Sequence, residues 1–393
     1  MSAVYLHAPS CVCALGDTPA AIRAGLWSDT VTGVAPTDRC TPGELLHLGC
    51  VDTALPSLDA LPANQRTRSN ALALAALAPL RAAALAAVER FGPARVAVVL
   101  GVSTAGLDEG LAAIRATQAG AAWPAGYDYA MQEMGNTAQC VARQLGVAGP
   151  AYAISTACSS GAKALATGAR MLRSGMVDAV VAGGVDALSP FTVAGFRALE
   201  AVSAARCNPL SANRAGINIG EGAALFLMSR EAGPVRLAGW GESADAHHMS
   251  APEPGGRGAA EAMRLALARA GVAGADVDYL NLHGTATAQN DAMESLAVRD
   301  VLGLEVAVSS TKPLTGHALG AAGAIEAAFA WHALVDNPRG LLPVHWWDGV
   351  RDSGLPALNV VAPGQSLGRA PRHVLSNSFA FGGSNAALLF AQG

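Results

Sequence analysis

Charge and aromatic rings are both scarce in this 393-residue sequence: charged residues make up 14% and Phe, Trp and Tyr 5%, while 51% is hydrophobic. So little charge leaves few residues to coat surface. That argues against a string of small separate domains and for a large shared core or a buried subunit interface. The formal net charge of -4 gives no overall basic footprint. Nucleic acid is therefore not an expected partner, and an acidic partner would have to meet a local patch. Seven cysteines is an odd number without framework spacing. No CxxC pair or Cys/His zinc pattern is present, so free thiols in a reducing cytoplasm are expected. The opening MSAVYLHAPSCVCALG lacks a basic segment followed by a long apolar one, so no signal peptide is expected. Ala71 to Val88 is apolar enough to suggest a membrane span. It carries Pro79 and Arg81 and is mostly alanine, which predicts a helix of a soluble protein instead, and no membrane association.

What is present is an alternation of short β-branched runs with Ala/Leu-rich helical stretches, the pattern of an α/β fold. Strands are predicted at 95–100, 177–182, 224–229, 277–282, 374–376 and 386–390. Helices are predicted at 162–174, at 258–270 (closed by Gly271) and at 323–335, the last with Glu326 inside an otherwise apolar run. The turn-rich Arg-Glu-Ala-Gly-Pro stretch at 230–234 divides the chain into a half spanning 1–230 and a half spanning 231–393. No letter-level repeat links the two.

Chemistry concentrates in a few segments. In Ser155-Thr156-Ala157-Cys158-Ser159-Ser160-Gly161, a strand-like AYAIS run meets small residues and then a helix. A cysteine at a helix start faces unpaired N–H groups that favour thiolate, and its small neighbours let a substrate approach. In Asn281-Leu282-His283-Gly284-Thr285-Ala286-Thr287, a histidine leaves a strand end, where α/β sheets place their chemistry. Lys312 and His317 share the stretch Ser310 to Gly323, where the histidine enters a Gly/Ala-rich helix. Asn377 to Asn385 is a loop whose glycines permit unusual backbone angles beside a ligand. Taken singly, each has an ordinary structural reading: an inert thiol, a core histidine, close helix packing.

In this order, together with Cys13-Ala14-Leu15-Gly16 and Gly220-Glu221-Gly222-Ala223, the motifs resemble the β-ketoacyl-carrier-protein synthases. The likeness is to the elongating Cys-His-His branch of the thiolase-like superfamily, and it runs over nearly the whole chain. It implies a five-layered αβαβα fold of two similar halves. It also implies a dimer, either a homodimer or a heterodimer with a ketosynthase-like subunit. Cys158 would accept an acyl group from an acyl carrier protein. Malonyl-carrier protein would then lose carbon dioxide, and its carbanion would attack the acyl-cysteine. His283 and His317 would hold the enolate oxygen, with Lys312 organising His283 electrostatically. The backbone N–H groups of Cys158 and Phe381 would form the oxyanion hole, with the Phe381 side chain gating entry. Thr285 and Thr287 would contact the phosphopantetheine arm, and Glu326 would be a structural core charge. Arg66, Arg68 and Arg206 would dock the carrier. Neither a metal nor a redox cofactor is implied.

The sequence departs from the family pattern in places. Asn208-Pro209-Leu210-Ser211 replaces an Arg-Pro-aromatic-Asp run, and Ala215 an aspartate, which removes charged loop contacts. Ala286 and Ala380 stand for glycines, and Ser384 for a threonine. This drift points towards a specialised pathway of the polyketide or aryl-polyene kind. A thiolase would need a second reactive cysteine near the C-terminus, but none follows Cys207. The initiating branch would carry asparagine in place of His317. A non-elongating chain-length partner should lack the nucleophile, which leaves a non-enzymatic scaffold as the remaining alternative of a different class. Cys158 is expected to be the sole acylated thiol, since only it combines a helix start with small flanks. Peptide mapping after acyl transfer checks this, and label at Cys11, Cys140 or Cys207 would refute it.

Overall fold

Strands that are apolar along their whole length need cover on both faces, and here they receive it. The computed structural model describes residues 3–393. The first half contains β1 (Tyr5–Leu6), β2 (Ser10–Val12), α1 (Pro19–Leu26), β3 (Ala35–Thr37), β4 (Leu46–Leu48) and α2 (Arg68–Phe91). It continues through β5 (Val96–Gly101), α3 (Leu107–Gln118), α4 (Gly135–Leu145), β6 (Ala151–Ile154), α5 (Ser160–Arg173), β7 (Ala179–Asp186), α6 (Pro190–Ala198) and β8 (Gly222–Ser229). The second half runs β9 (Val235–Ala244), α7 (Arg257–Ala270), β10 (Tyr279–Asn281), α8 (Ala288–Leu302), β11 (Ala307–Ser309) and α9 (Lys312–Thr315). It closes with α10 (Ala322–Leu334), β12 (Asn359–Val360), β13 (His373–Ala380) and β14 (Ser384–Gln392). Every residue of β5, β7 and β8 is buried.

The strand order β6-β5-β7-β8-β2 recurs as β11-β10-β13-β14-β9. The directions recur as well: β5 is parallel to β6 and β7, which is followed by antiparallel β8 and β2. In the same way β10 is parallel to β11 and β13, which is followed by antiparallel β14 and β9. Strand β1 pairs with both β8 and β9 and fuses the two sets into one continuous sheet. Helices α2 and α4 cover one outer face, α7 with α8 the other, and α5 and α10 lie between, touching strands of both halves. This is the five-layered αβαβα arrangement.

The elements follow the sequence pattern with instructive shifts. β7 runs on through Gly183 and Gly184, beyond the strand expected at 177–182. A Cβ on Gly183 would sit 1.9 Å from the Ala224 carbonyl oxygen of β8, so glycine here is what lets the strands pair. β9 is absent from the sequence reading altogether. α2 is long and apolar enough to cross a membrane by length and composition, yet its Leu72, Ala73, Ala76, Leu77 and Ala84 pack into the core beneath β8. α10 is buried on every side, as expected for a helix without a polar face.

One buried carboxylate ties the first half together. Glu221 accepts two bonds from Arg68, at 2.6 and 2.7 Å, and one from Arg39 at 2.9 Å. The backbone N–H groups of Val51 and Leu188 also donate to it, both at 3.1 Å. Burial pushes this carboxyl up, but Arg68 and then Arg39 outweigh burial and hold it below the ordinary value. Arg68→Met should strand a buried charge and destabilise the fold by about 3 kcal/mol. The deficit should shrink as pH falls towards the ordinary glutamate value of 4.5, where the stranded carboxyl can take up a proton. Denaturant midpoints of both proteins across pH measure this; a deficit that does not depend on pH would refute the account.

Candidate active site

Cys158 sits on a strained turn. Between β6 and α5 the chain turns through Ala157 at φ +50°, a left-handed angle that a residue with a Cβ adopts only when its surroundings compel it. The constraint comes from hydroxyls: Thr156 N–H donates to Ser160 Oγ at 2.8 Å, and the Ser160 hydroxyl donates to the Ala157 carbonyl at 2.6 Å. Cys158 is thereby turned to face the second half, 6% exposed.

The histidines arrive from the other half. His283 leaves the end of β10, and its backbone N–H and that of Gly284 both donate to Glu294 of α8, at 2.8 and 2.7 Å. Gly284 holds φ +38°, and a Cβ there would stand 2.6 Å from the Ser310 side chain, so the turn requires glycine. Burial pushes the Glu294 carboxyl up to about 7, although those N–H groups and Asn377 pull it down. His317 follows α9. Its N–H donates to the Asn218 carbonyl at 2.6 Å, and its own carbonyl accepts from Gly220 N–H at 3.0 Å. The segment from Asn218 to Gly220 thus brackets His317. Asp186 accepts from the N–H groups of Ser103, Thr104 and Gly320, at 2.8, 2.8 and 2.6 Å, and fixes the segment just beyond His317. Neither Glu294 nor Asp186 was singled out in the sequence. The backbone partners of Asp186 lie more than eighty residues away, and those of Glu294 ten and eleven residues before it, a spacing that no motif marks.

The three side chains converge. Cys158 Sγ and one nitrogen of each ring lie within 4.8 Å of one another, and the rings meet edge-on, 5.2 Å between centroids. Lys312 is 1% exposed and donates to Glu326 at 2.6 Å. Desolvation and then the Lys312 charge push both imidazoles well below their ordinary range, so both are neutral. Nδ1 of each ring lacks a hydrogen-bond partner among the described residues. For Cys158 the expectation of a thiolate favoured by the helix start needs correction. Burial pushes the thiol up to about 12, outweighing the pull of Lys312 and of the cysteine's own N–H. A Cys-His-His set is also one that metals use, but Lys312 opposes a cation here.

A cavity of about 620 Å³ opens over these groups. Thr285 and Thr287 line it, their hydroxyls 3.0 Å apart. Phe381 lines it as well, 40% exposed and tilted against Phe196 with 5.7 Å between ring centroids. Ala380, beside Phe381, sits at φ -131°, extended backbone that costs alanine nothing. Ala286 does carry a left-handed angle, φ +63°.

Two expectations change on contact with the structure. The 208–215 loop is not short of polar contacts. Asp348 accepts from the Ser211 hydroxyl and from Asn213 Nδ2, both at 2.8 Å, and Arg214 pairs with Asp352 at 2.6 Å. The carrier-docking arginines are occupied. Arg68 is the partner of buried Glu221, Arg66 donates to the Leu61 and Asp59 carbonyls, and Arg206 to those of Thr32, Val34 and Pro313. Arg68 is thereby ion-paired, while Arg66 stays exposed at the surface and Arg206 half-buried, both bonded to backbone carbonyls.

Fold and site together define a thiolase-like protein with a Cys-His-His centre, and the comparisons give its family. Residues 26–232 match the β-ketoacyl synthase N-terminal domain and residues 235–338 the C-terminal domain. The chain belongs to the β-ketoacyl synthase family. A 3-oxoacyl-[acyl-carrier-protein] synthase 2 of Vibrio cholerae is 36% identical over 275 residues, covering 62% of this chain and 63% of that protein, under two thirds of its length. Nodulation protein E of Rhizobium meliloti is 36% identical over 277 residues, 67% of each. Among solved structures, the complex of the ketosynthase ApeO with its chain length factor ApeC from Xenorhabdus doucetiae has a chain that matches at TM-score 0.94 and 40% identity. That match covers 100% of this chain and 98% of that one. A β-ketoacyl synthase from Burkholderia phymatum matches at TM-score 0.86 and 27% identity, over 100% of both chains.

With the thiol at about 12, alkylation of Cys158 by iodoacetamide should keep rising as pH passes the free-cysteine value of 9.0. The slope should be about tenfold per pH unit, because thiolate is the reactive form. Rates from intact mass across pH check this, and a plateau at or below 9.0 would show a stabilised thiolate.

Proposed function

We propose that the chain catalyses decarboxylative Claisen condensation, joining an acyl group carried on Cys158 to malonyl-acyl-carrier protein. The observation that carries this reading is the convergence of Cys158, His283 and His317 within 4.8 Å at the floor of the cavity. In the first half-reaction, Cys158 sulfur bonds to the acyl carbon of a carrier thioester. The carrier thiol leaves with the proton that Cys158 gives up. In the second, the bond between the malonyl carboxylate and its α-carbon breaks and carbon dioxide departs. The electron pair becomes an enolate whose oxygen accepts N–H bonds from His283 and His317. The α-carbon then bonds to the acyl carbon, the C–S bond breaks, and Cys158 recovers a proton as 3-oxoacyl-carrier protein leaves. Neutral imidazoles suit this role, since each keeps one N–H to donate and the site gains no further cation beside Lys312.

The carrier's phosphopantetheine arm would pass Thr285 and Thr287, which line the same cavity. No resident cofactor enters this scheme, because the substrates bring their own activation as thioesters. The Cys158 and Phe381 N–H groups would hold the oxyanion of acyl transfer. Arg66, Arg68 and Arg206 would shape the carrier's landing surface through the loops they brace. We read the chain as two copies of one unit meeting at 230–234, a reading supported by the recurring strand order. The second subunit would be ketosynthase-like. Supporting this, β6 ends the sheet with one edge unpaired, and the ApeO and ishigamide neighbours are ketosynthases with chain length factors. That company favours a polyketide-like pathway over bulk fatty-acid synthesis.

His317→Ala should slow malonyl decarboxylation by about 10²–10³-fold, the loss of one enolate donor, while acyl transfer to Cys158 persists. Cys158→Gln should do the reverse and keep decarboxylation without condensation. Carbon dioxide release and acyl-enzyme mass, measured on both variants, separate the roles; equal loss of both half-reactions in both variants would end the assignment.

A further inference from the structure

The chain contains 24 arginines and only two lysines, Lys163 and Lys312. Lys312 belongs to the site already described. Lys163 lies on α5 one turn beyond Cys158, and its Nζ donates to Ser384 Oγ at 2.6 Å. The Ser384 and Ser159 hydroxyls are 3.0 Å apart, and the Ser159 hydroxyl donates to the Thr156 carbonyl at 2.9 Å. One donor order satisfies all three contacts, running from Lys163 to Ser384 to Ser159 to the Thr156 carbonyl. An ammonium fits the head of such a chain because it can only donate.

The two ends of the chain matter. Ser159 follows Cys158 and stands at the N-cap position of α5, without a side-chain capping bond. Ser384 opens β14 and pairs across the sheet with Ala380, the last residue of β13. These two residues form the base of the hairpin that holds Phe381, Gly382 and Gly383, and Phe381 lines the cavity. On its outer side the hairpin is hydrogen-bonded through backbone groups, and the Phe381 ring lies against Phe196. Gly382 N–H donates to the Met249 carbonyl at 2.8 Å, and Gly383 accepts from Asp245 N–H at 2.9 Å. Gly382 and Gly383 both hold left-handed angles, so the tip can pivot while its base stays fixed.

We infer that Lys163 and Ser384 are positioning residues. They clamp the hairpin base to the nucleophile turn and set the entry that Phe381 leaves for long acyl chains. Neither touches the reacting atoms. The clamp acts through Ser159 on the turn and through the Ala380–Ser384 pair on the hairpin. Burial lowers the Lys163 amine from its ordinary value, with Glu242 raising it and Arg170 lowering it, consistent with an ammonium that has little water around it. This inference rests on the proposed acyl-accepting role of Cys158, but its test does not need a carrier protein.

The test compares alkylation of Cys158 by iodoacetamide and by an N-dodecyl iodoacetamide, followed by intact mass and peptide mapping. Lys163→Met and Ser384→Ala should each raise the long-to-short rate ratio about three- to tenfold, the scale of one net hydrogen bond. The double variant should go no further than either single one, because both break the same chain. Ser384→Thr, which keeps the hydroxyl, should restore the original ratio, whereas a general loosening of the fold would not be rescued in this way. An unaltered ratio in Ser384→Ala, or effects that multiply in the double variant, would overturn the inference. Ser384→Ala alone decides the matter if the lysine variant does not fold. Wild-type protein that is alkylated normally yet takes no acyl group from any carrier would count against the proposed function and leave this result standing.

Discussion

The site depends on the backbone-to-backbone crossing of α5 and α10. A Cβ on Gly161 would stand 2.8 Å from the Gly320 carbonyl oxygen and 2.9 Å from Ala324 N, and one on Gly323 would stand 3.0 Å from the Ala162 Cβ. Only glycine permits that approach. Cys158 precedes the first helix and His317 the second, so the crossing brings thiol and imidazole from opposite halves to one point. β1 and the shared inner layer hold the halves in register around it. A larger residue at either glycine would push the two helices apart.

Burial then sets the electrostatics. Within this shell Lys312 is neutralised by Glu326, and the thiol and both imidazoles stay uncharged. A site of this kind holds little charge at rest, and fixed N–H donors in a water-poor pocket stabilise a developing negative charge strongly. The buried carboxylates around it, Asp186, Glu221 and Glu294, spend their bonds mostly on backbone N–H groups and arginines. Glu294 and Asp186 fix the loops beside His283 and His317, and all three stand outside the cavity itself. The left-handed angles at Ala157 and Ala286 show the same priority, with loop position held against local preference.

The departures from the family pattern read differently once the chain is folded. The 208–215 loop, which lacks the expected charges, is held by Asp348 and Asp352 from a segment more than a hundred residues downstream. Arg68, an exposed docking cation on paper, turns inward because Glu221 needs a partner of opposite charge in the core. Ser384, a conservative replacement on paper, meets a lysine and a second serine that no spacing rule connects to it.

What the sequence determined by itself was local and patterned: the apolar strand runs, the wholly buried α10, the glycine-closed α7, and the ordered motifs around Cys158, His283 and His317. Hydrophobic periodicity and turn chemistry act over a few residues, so they leave a readable mark, and several motifs in one order leave a mark that is specific. Tertiary structure alone decided which strands pair into two matching sets and that β1 joins them. It also decided that the thiol rests protonated, and that the arginines at 66, 68 and 206 brace loops. Each of these turns on contacts between residues far apart in the chain, or on how much water a group loses on folding. Neither quantity is a property of any short stretch of sequence, so both come into being only when the halves close on each other.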